Sequence, residues 1–138
     1  MASFSDYAEK KILDHVNGKT TFTLVTPVYM ALCTVVPVDA DTGATITEAT
    51  YTGYARKSIA AGDWNAAAGA AANATNLNAI TFAACSGSTS TIIGFAINDN
   101  SATGAGNNFY WGTVTSIVID STHQPATVAA GVLSISLD

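Results

Sequence analysis

From Ser58 to the carboxyl end the chain has no lysine or arginine, and its only charges there are Asp63, Asp99, Asp120 and Asp138. The basic residues, Lys10, Lys11, Lys19, Arg56 and Lys57, all lie upstream, and the formal net charge is -5. A chain without a basic stripe has little with which to neutralise phosphates, so nucleic acid is not expected as a partner. An anionic membrane surface is disfavoured for the same reason. Charged residues make up 11% of the sequence, against an average of roughly 25%. Thr, Ser, Asn, Ala and Gly must therefore cover the surface, which suits packing against neighbours better than a crowded life as a free monomer. No apolar run approaches the ~20 residues of a membrane span. The amino-terminal MASFSDYAEKK lacks the apolar stretch and small-residue cleavage site of a signal peptide. Synthesis and assembly in the cytoplasm are expected, with Cys33 and Cys85 as reduced thiols.

What the sequence does contain is β-forming pattern. Its 138 residues fit a single domain, 1–138, that can bury about two-thirds of the unfolded chain's surface. The stretch 91–138 reads as three long strands separated by Gly, Asn, Ser and Pro clusters. Leu133, Ile135 and Leu137 alternate with polar residues and predict the cleanest strand, its apolar face inward. Phe109, Trp111, Thr113, Thr115, Ile117 and Ile119 fall on one side of the middle strand, and Ile93, Phe95 and Ile97 on one side of the first. Upstream, 20–25, 29–36, 50–60 and 78–84 read as further strands. The run at 29–36 is apolar on both faces, as a central strand requires. Residues 62–76 read as a loop with short strand pieces, because Gly69 and the asparagines oppose the helix their alanines permit. About seven strands at this spacing predict an all-β fold, an antiparallel β-sandwich of jelly-roll or Ig-like type.

One short helix is predicted over 5–17, with Asp6 as N-cap and Glu9 completing a capping box. Ala8, Ile12 and Val16 form its apolar stripe, with Leu13 and Phe4 beside it, and Gly18 ends it. A helix this short needs a partner surface. Two roles fit residues 1–18: an attachment segment for a neighbouring copy or the particle described below, or a cap on the chain's own sandwich.

Candidate chemistry is sparse. Asp39-Ala-Asp41-Thr-Gly43 resembles the start of a calcium loop, but it lacks a third oxygen ligand and Glu48 comes too early for the bidentate position; a turn explains it better. Asn98-Asp99-Asn100, with Gly104, Ala105 and Gly106 after it, could likewise offer oxygens to a cation, but a long polar hairpin tip explains it better. His15 and His123 have no ligands at metal spacing. Cys85-Ser86-Gly87-Ser88 carries no nucleophile signature, and Cys33 reads as core. A depolymerase would need paired carboxylates a few ångströms apart, which only Asp39/Asp41 or Asp63/Asp99/Asp120 could supply. An aromatic platform for a sugar could draw on Trp64 and Tyr110, since Phe109 and Trp111 are expected in the core. No catalytic, cofactor-binding or metal residue is expected, and no cofactor.

The segments KKILDHVNGKTTF (10–22), PVYMALCTVVP (27–37), Tyr54-Ala55-Arg56 before Trp64, NAITFAA (78–84), TIIGFAIND (91–99), NNFYWGTV (107–114) and AAGVLSISLD (129–138) resemble, in order, a family of small virion proteins of tailed bacteriophages. Its members are labelled tail-fibre or minor tail proteins. They often carry a proline after the phenylalanine of the ITF segment, where this chain has Ala83. The resemblance implies a β-sandwich with a short N-terminal helix and a non-enzymatic structural place on the virion, in the tail or its fibres or as head decoration. It also implies partners among other virion proteins and other copies of the chain, as a homo-oligomer such as a trimer. A host-surface carbohydrate or receptor is the alternative ligand class.

Overall fold

The computed structural model describes residues 2–69, 72–123 and 125–136. The strands are β1 (Ala2–Phe4), β2 (Val28–Cys33), β3 (Lys57–Ile59), β4 (Ala74–Thr75), β5 (Ile80–Thr81), β6 (Ser90–Asn98), β7 (Asn108–Ile119), β8 (Thr127–Val128) and β9 (Ser134–Ile135), with one α-helix, α1 (Asp6–Val16). The main sheet is antiparallel throughout, in the order β1-β7-β6-β2-β3. Opposite it lie two antiparallel ladders, β4-β9 and β5-β8. The fold is thus the all-β antiparallel sandwich with a short N-terminal helix that the sequence predicts, with short ladders and loops making its second layer.

The core lies between the layers. Met30, Leu32, Ile92, Phe95 and Ile97 of the sheet meet Tyr51, Ile80, Phe82, Leu133 and Ile135 of the opposite layer. Strand β2 is buried on both faces, since Ala31 and Cys33 join Ala96 and Ile46 in a smaller cluster on the outer face. Every residue from Met30 to Cys33 is buried, as a central strand flanked by β6 and β3 should be.

Several local expectations are corrected. Ser5, not Asp6, is the N-cap: its hydroxyl accepts from Ala8 N at 3.3 Å and donates to the Asn108 carbonyl, while Asp6 and Glu9 sit in the acid-favouring first turn. Only Ala8 of the helix is buried. Leu13 and Val16 are 61% and 74% exposed, so the apolar stripe leaves the protein body in its second half. Phe4 belongs to β1, its ring edge-on to Tyr110 at 4.7 Å.

Residues 21–25 form no ladder, and of 50–60 only Lys57–Ile59 are strand. Bulges also shift the faces of the long hairpin. Opposite Ile92 and Gly94, β7 uses Ile117 and Thr113, and a second irregularity separates Ile97 from Asn98. As a result Ile92, rather than Ile93, joins Phe95 and Ile97. Tyr110 and Val114 pack on the core, whereas Phe109 is buried against Tyr7 and Phe22 and Ile117 is exposed.

The strand expected to be cleanest pairs over only two residues, Ser134–Ile135. Its inward face is nonetheless as predicted at Leu133 and Ile135, which are buried; Leu137 lies outside the described residues. Ile135→Ala should cost about 2–5 kcal/mol as a buried large-to-small change. Chemical denaturation measures it, and a loss below about 0.5 kcal/mol, the range of exposed positions, would contradict the packing.

Candidate functional site

The only arginine, Arg56, is buried, and it organises one end of the sandwich. Its guanidinium forms an ion pair with Glu48, Nη2 to Oε1 at 2.7 Å, with the two side chains 0% and 3% exposed. The remaining N–H groups are also used. Nε donates to both Glu48 oxygens (3.2 and 3.1 Å), Nη1 to the carbonyls of Asn100 (2.7 Å) and Ala105 (2.9 Å), and Nη2 also to that of Gly43 (2.6 Å). An arginine carries five N–H donors in a fixed fork, and every nitrogen here has a partner. Glu48 in turn accepts from the Tyr54 hydroxyl (2.7 Å) and Gly104 N (3.3 Å), and Tyr54 accepts from Leu32 N (3.1 Å). Burial, then the bond to Glu48, pushes the Tyr54 hydroxyl far above its ordinary pKa.

The 39–48 and 99–107 loops, both weighed above as cation sites, are therefore joined by a protein cation. Gly43 is the hinge of that junction: a Cβ there would lie 2.3 Å from the Ala105 carbonyl and 3.0 Å from Asn98 Oδ1. The aspartates make turns. Asp41 accepts from Val38 N and the Thr45 hydroxyl, both at 2.9 Å, Asp39 from Trp111 Nε1 at 3.1 Å, and Asp99 from Asn107 N and Nδ2, both at 2.7 Å. Asn98 and Asn108 face one another at the mouth of the hairpin, their side-chain amides buried without a protein partner among the described residues. Among the described residues, no three His, Cys, Asp or Glu side chains converge as a metal site would need.

Other sequence candidates are placed apart. His15 Nδ1 accepts from Phe22 N at 3.2 Å. Asp120, Thr122 and His123 form an exposed cluster with the membership of a hydrolytic triad but the wrong wiring. Asp120 Oδ1 lies 2.6 Å and Thr122 Oγ1 3.3 Å from the same ring nitrogen, Nδ1. A relay needs hydroxyl and carboxylate on opposite nitrogens, so this arrangement only locks a turn. Bonds from His123 and Thr122 hold the Asp120 carboxyl well below the usual carboxylate range.

Cys33 and Cys85 are free and buried. Burial, reinforced by the Glu48 charge, pushes the Cys33 thiol up to about 12, so almost no thiolate forms near neutrality. Cys85 Sγ lies 3.2 and 3.1 Å from the carbonyls of Gly87 and Ser88. Trp64 and Tyr110 meet in one cavity of about 230 Å³ with Leu24, Phe109 and Ile135. Its lining is nearly all apolar, which fits a hydrophobic side chain better than a sugar's hydroxyls.

Sequence reasoning missed Arg56 and Glu48. The available signal was a lone arginine in a charge-poor chain, closing the GYAR segment eight residues after Glu48.

Of the ten large apolar side chains that are exposed among the described residues, four lie in α1 or just after it. Leu13 and Val16 on α1, and Leu24 and Val25 in the segment that follows, are all more than half exposed, with the exposed Lys10 and Lys19 nearby in sequence. Lys11 lies over the Tyr7 ring, 5.6 Å from its centroid. Residues 2–4 ahead of α1 are built into the main sheet as an edge strand, so the helix is held at its amino-terminal end.

The family model described as Podophage GP4 fiber I protein gp80 matches residues 3–136. No curated protein matches the chain significantly.

Proposed function

The chain belongs to the podophage GP4 fiber I protein gp80 family, and from that premise we propose that this virion component is non-enzymatic and works by self-association and by docking on other virion proteins through α1 and the segment after it. The observation that carries this reading is the exposure of Leu13, Val16, Leu24 and Val25, all in α1 or the segment after it. Apolar residues in contiguous exposed patches mark interaction sites. The lysines of this segment are matched by Asp6, Glu9 and Asp14, so it is neutral while the remainder of the chain carries the net charge of -5, and its apolar side chains rather than its charge favour docking. The carboxylates of Asp39, Asp41, Asp99 and Asp120 are each tied into hydrogen bonds within the fold, which fits a structural role.

Because β1 lies within the first residues, truncation would disturb the sheet; point changes at exposed positions test the idea cleanly. Leu13→Glu with Val16→Glu should leave the thermal melt within a few degrees of the parent and lower incorporation into particles at least tenfold, scored by quantitative mass spectrometry of purified virions. Full incorporation of the doubly substituted protein would overturn the attachment role.

A further inference from the structure

Two unpaired parts of this fold are complementary. The first is an edge. Strand β7 pairs with β6 along one side, but on its other side β1 covers only Tyr110, Trp111 and Gly112. Beyond them no described strand lies beside residues 114–118, and Thr115, Ser116, Ile117 and Val118 are exposed. This edge carries neither a charge nor a proline, devices that ordinarily keep an edge strand from pairing; its bulge opposite β6 is its only guard. Alongside runs a groove of about 560 Å³ whose walls include Val114, Ile117, Val132 and Leu133, and no charged residue lines it. An edge with an apolar groove beside it is the geometry that accepts an added strand, backbone bonds supplying affinity and alternate side chains the fit.

The second part is the segment 20–25, TTFTLV, whose composition predicts a strand and which belongs to no ladder. Phe22 N is turned toward His15. In an extended chain the backbone groups of Thr21, Thr23 and Val25 then face the other way, and none of them bonds another described backbone group.

We propose that residues 20–25 of one copy add as an antiparallel strand to the free edge of β7 on the next copy. The antiparallel register that aligns Thr20 with Ile119 places Thr23 opposite Ser116 and Val25 opposite Val114. It also brings the exposed Lys19 beside Asp120, the only charged residues flanking either strand closely on that side. Donor and acceptor are different surfaces, so the contact is head-to-tail and generates a ring or a file of copies rather than a face-to-face pair. This inference rests on the self-association proposed above and names its surface.

Directly opposed residues in an antiparallel pair have Cα atoms about 4.5–5.5 Å apart, within disulfide reach. Full-length Thr23→Cys and Ser116→Cys proteins, mixed and mildly oxidised, should form a disulfide-linked dimer that neither forms alone; native Cys33 and Cys85 are buried and do not compete. Thr23→Pro removes the donor aimed at the neighbour without breaking a backbone bond in the isolated chain, and should weaken self-association at least tenfold by sedimentation or light scattering. A linked dimer from Ser116→Cys alone would mean that β7 edges pair with each other and would overturn the proposal. So would an unchanged oligomer mass for Thr23→Pro. Particle incorporation that survives Thr23→Pro but is lost with the Leu13/Val16 substitutions would leave the docking role standing and sink the strand addition.

Discussion

Arg56→Ala is expected to cost about 3–5 kcal/mol of unfolding free energy, the range for breaking one member of a buried ion pair. In a domain whose total stability is about 5–15 kcal/mol, that is a large share. The physical reason is what stays behind. Glu48 would be left without its cation and with 3% of its side chain exposed, and the carbonyls of Gly43, Asn100 and Ala105 would lose their donor. Lysine should not rescue the loss, because its compact ammonium cannot reproduce the planar fork that serves Glu48 and the loops together. Urea denaturation of Arg56→Ala, Arg56→Lys and Glu48→Gln measures the set. A loss below about 1 kcal/mol for Arg56→Ala, the net worth of one ordinary hydrogen bond, would mean that the network is not what joins the 39–48 and 99–107 loops. Gly43→Ala probes the same junction from the backbone side, since its Cβ would meet the Ala105 carbonyl. The two changes share partners and should combine non-additively.

The contrast between Arg56 and its neighbour Lys57 shows where the sequence stops speaking. Adjacent cations in GYARKS look alike as letters. Arg56 is buried because its partners arrive from Asn100 and Ala105, forty-four and forty-nine positions away, and no local pattern encodes that. What local pattern does encode came through well: the helix between Ser5 and Gly18, the doubly buried β2, the β6–β7 hairpin with its polar tip, and the inward face of Leu133 and Ile135. Alternation reports which face is apolar, but ladder length depends on the partner. β9 is short because β4 offers it only Ala74–Thr75. Parity also fails past a bulge, which is why Tyr110 and Val114 pack on the core in place of Phe109. Residues 20–25 read as a strand and have no strand beside them, a disagreement that becomes informative once an equally unpartnered edge is found on β7.

Phe82→Ala is expected to cost about 3–5 kcal/mol, the range for a buried aromatic cut to alanine, and to act unevenly across the two layers. The main sheet is bound by long ladders, β6 with β7 above all. The opposite layer has ladders of two residues each, so few backbone bonds hold it and side chains must attach it to the sheet. Phe82 is among the largest of those attachments. It is 3% exposed in the main core, its ring stacks on Tyr54 with 12° between planes, and its N–H donates to the Ala126 carbonyl. Asn76 holds the other side of that layer, donating to the carbonyls of Asn78 and Ala129 and accepting from Leu133 N. Removing the Phe82 ring leaves a cavity against Tyr54, whose hydroxyl supports Glu48, so the loss reaches the arginine network as well. Partial opening of a weakly bonded unit precedes global unfolding when its own attachments fail. Hydrogen exchange should therefore show amides at 80–82 and 126–128 losing protection first, while those of β6 and β7 keep theirs. The exposed neighbour Thr81 is the control, and Thr81→Ala should stay within about 0.5 kcal/mol of the parent. Uniform loss of protection in Phe82→Ala, or a cost near that of the control, would show that the short ladders hold the second layer without help from the core.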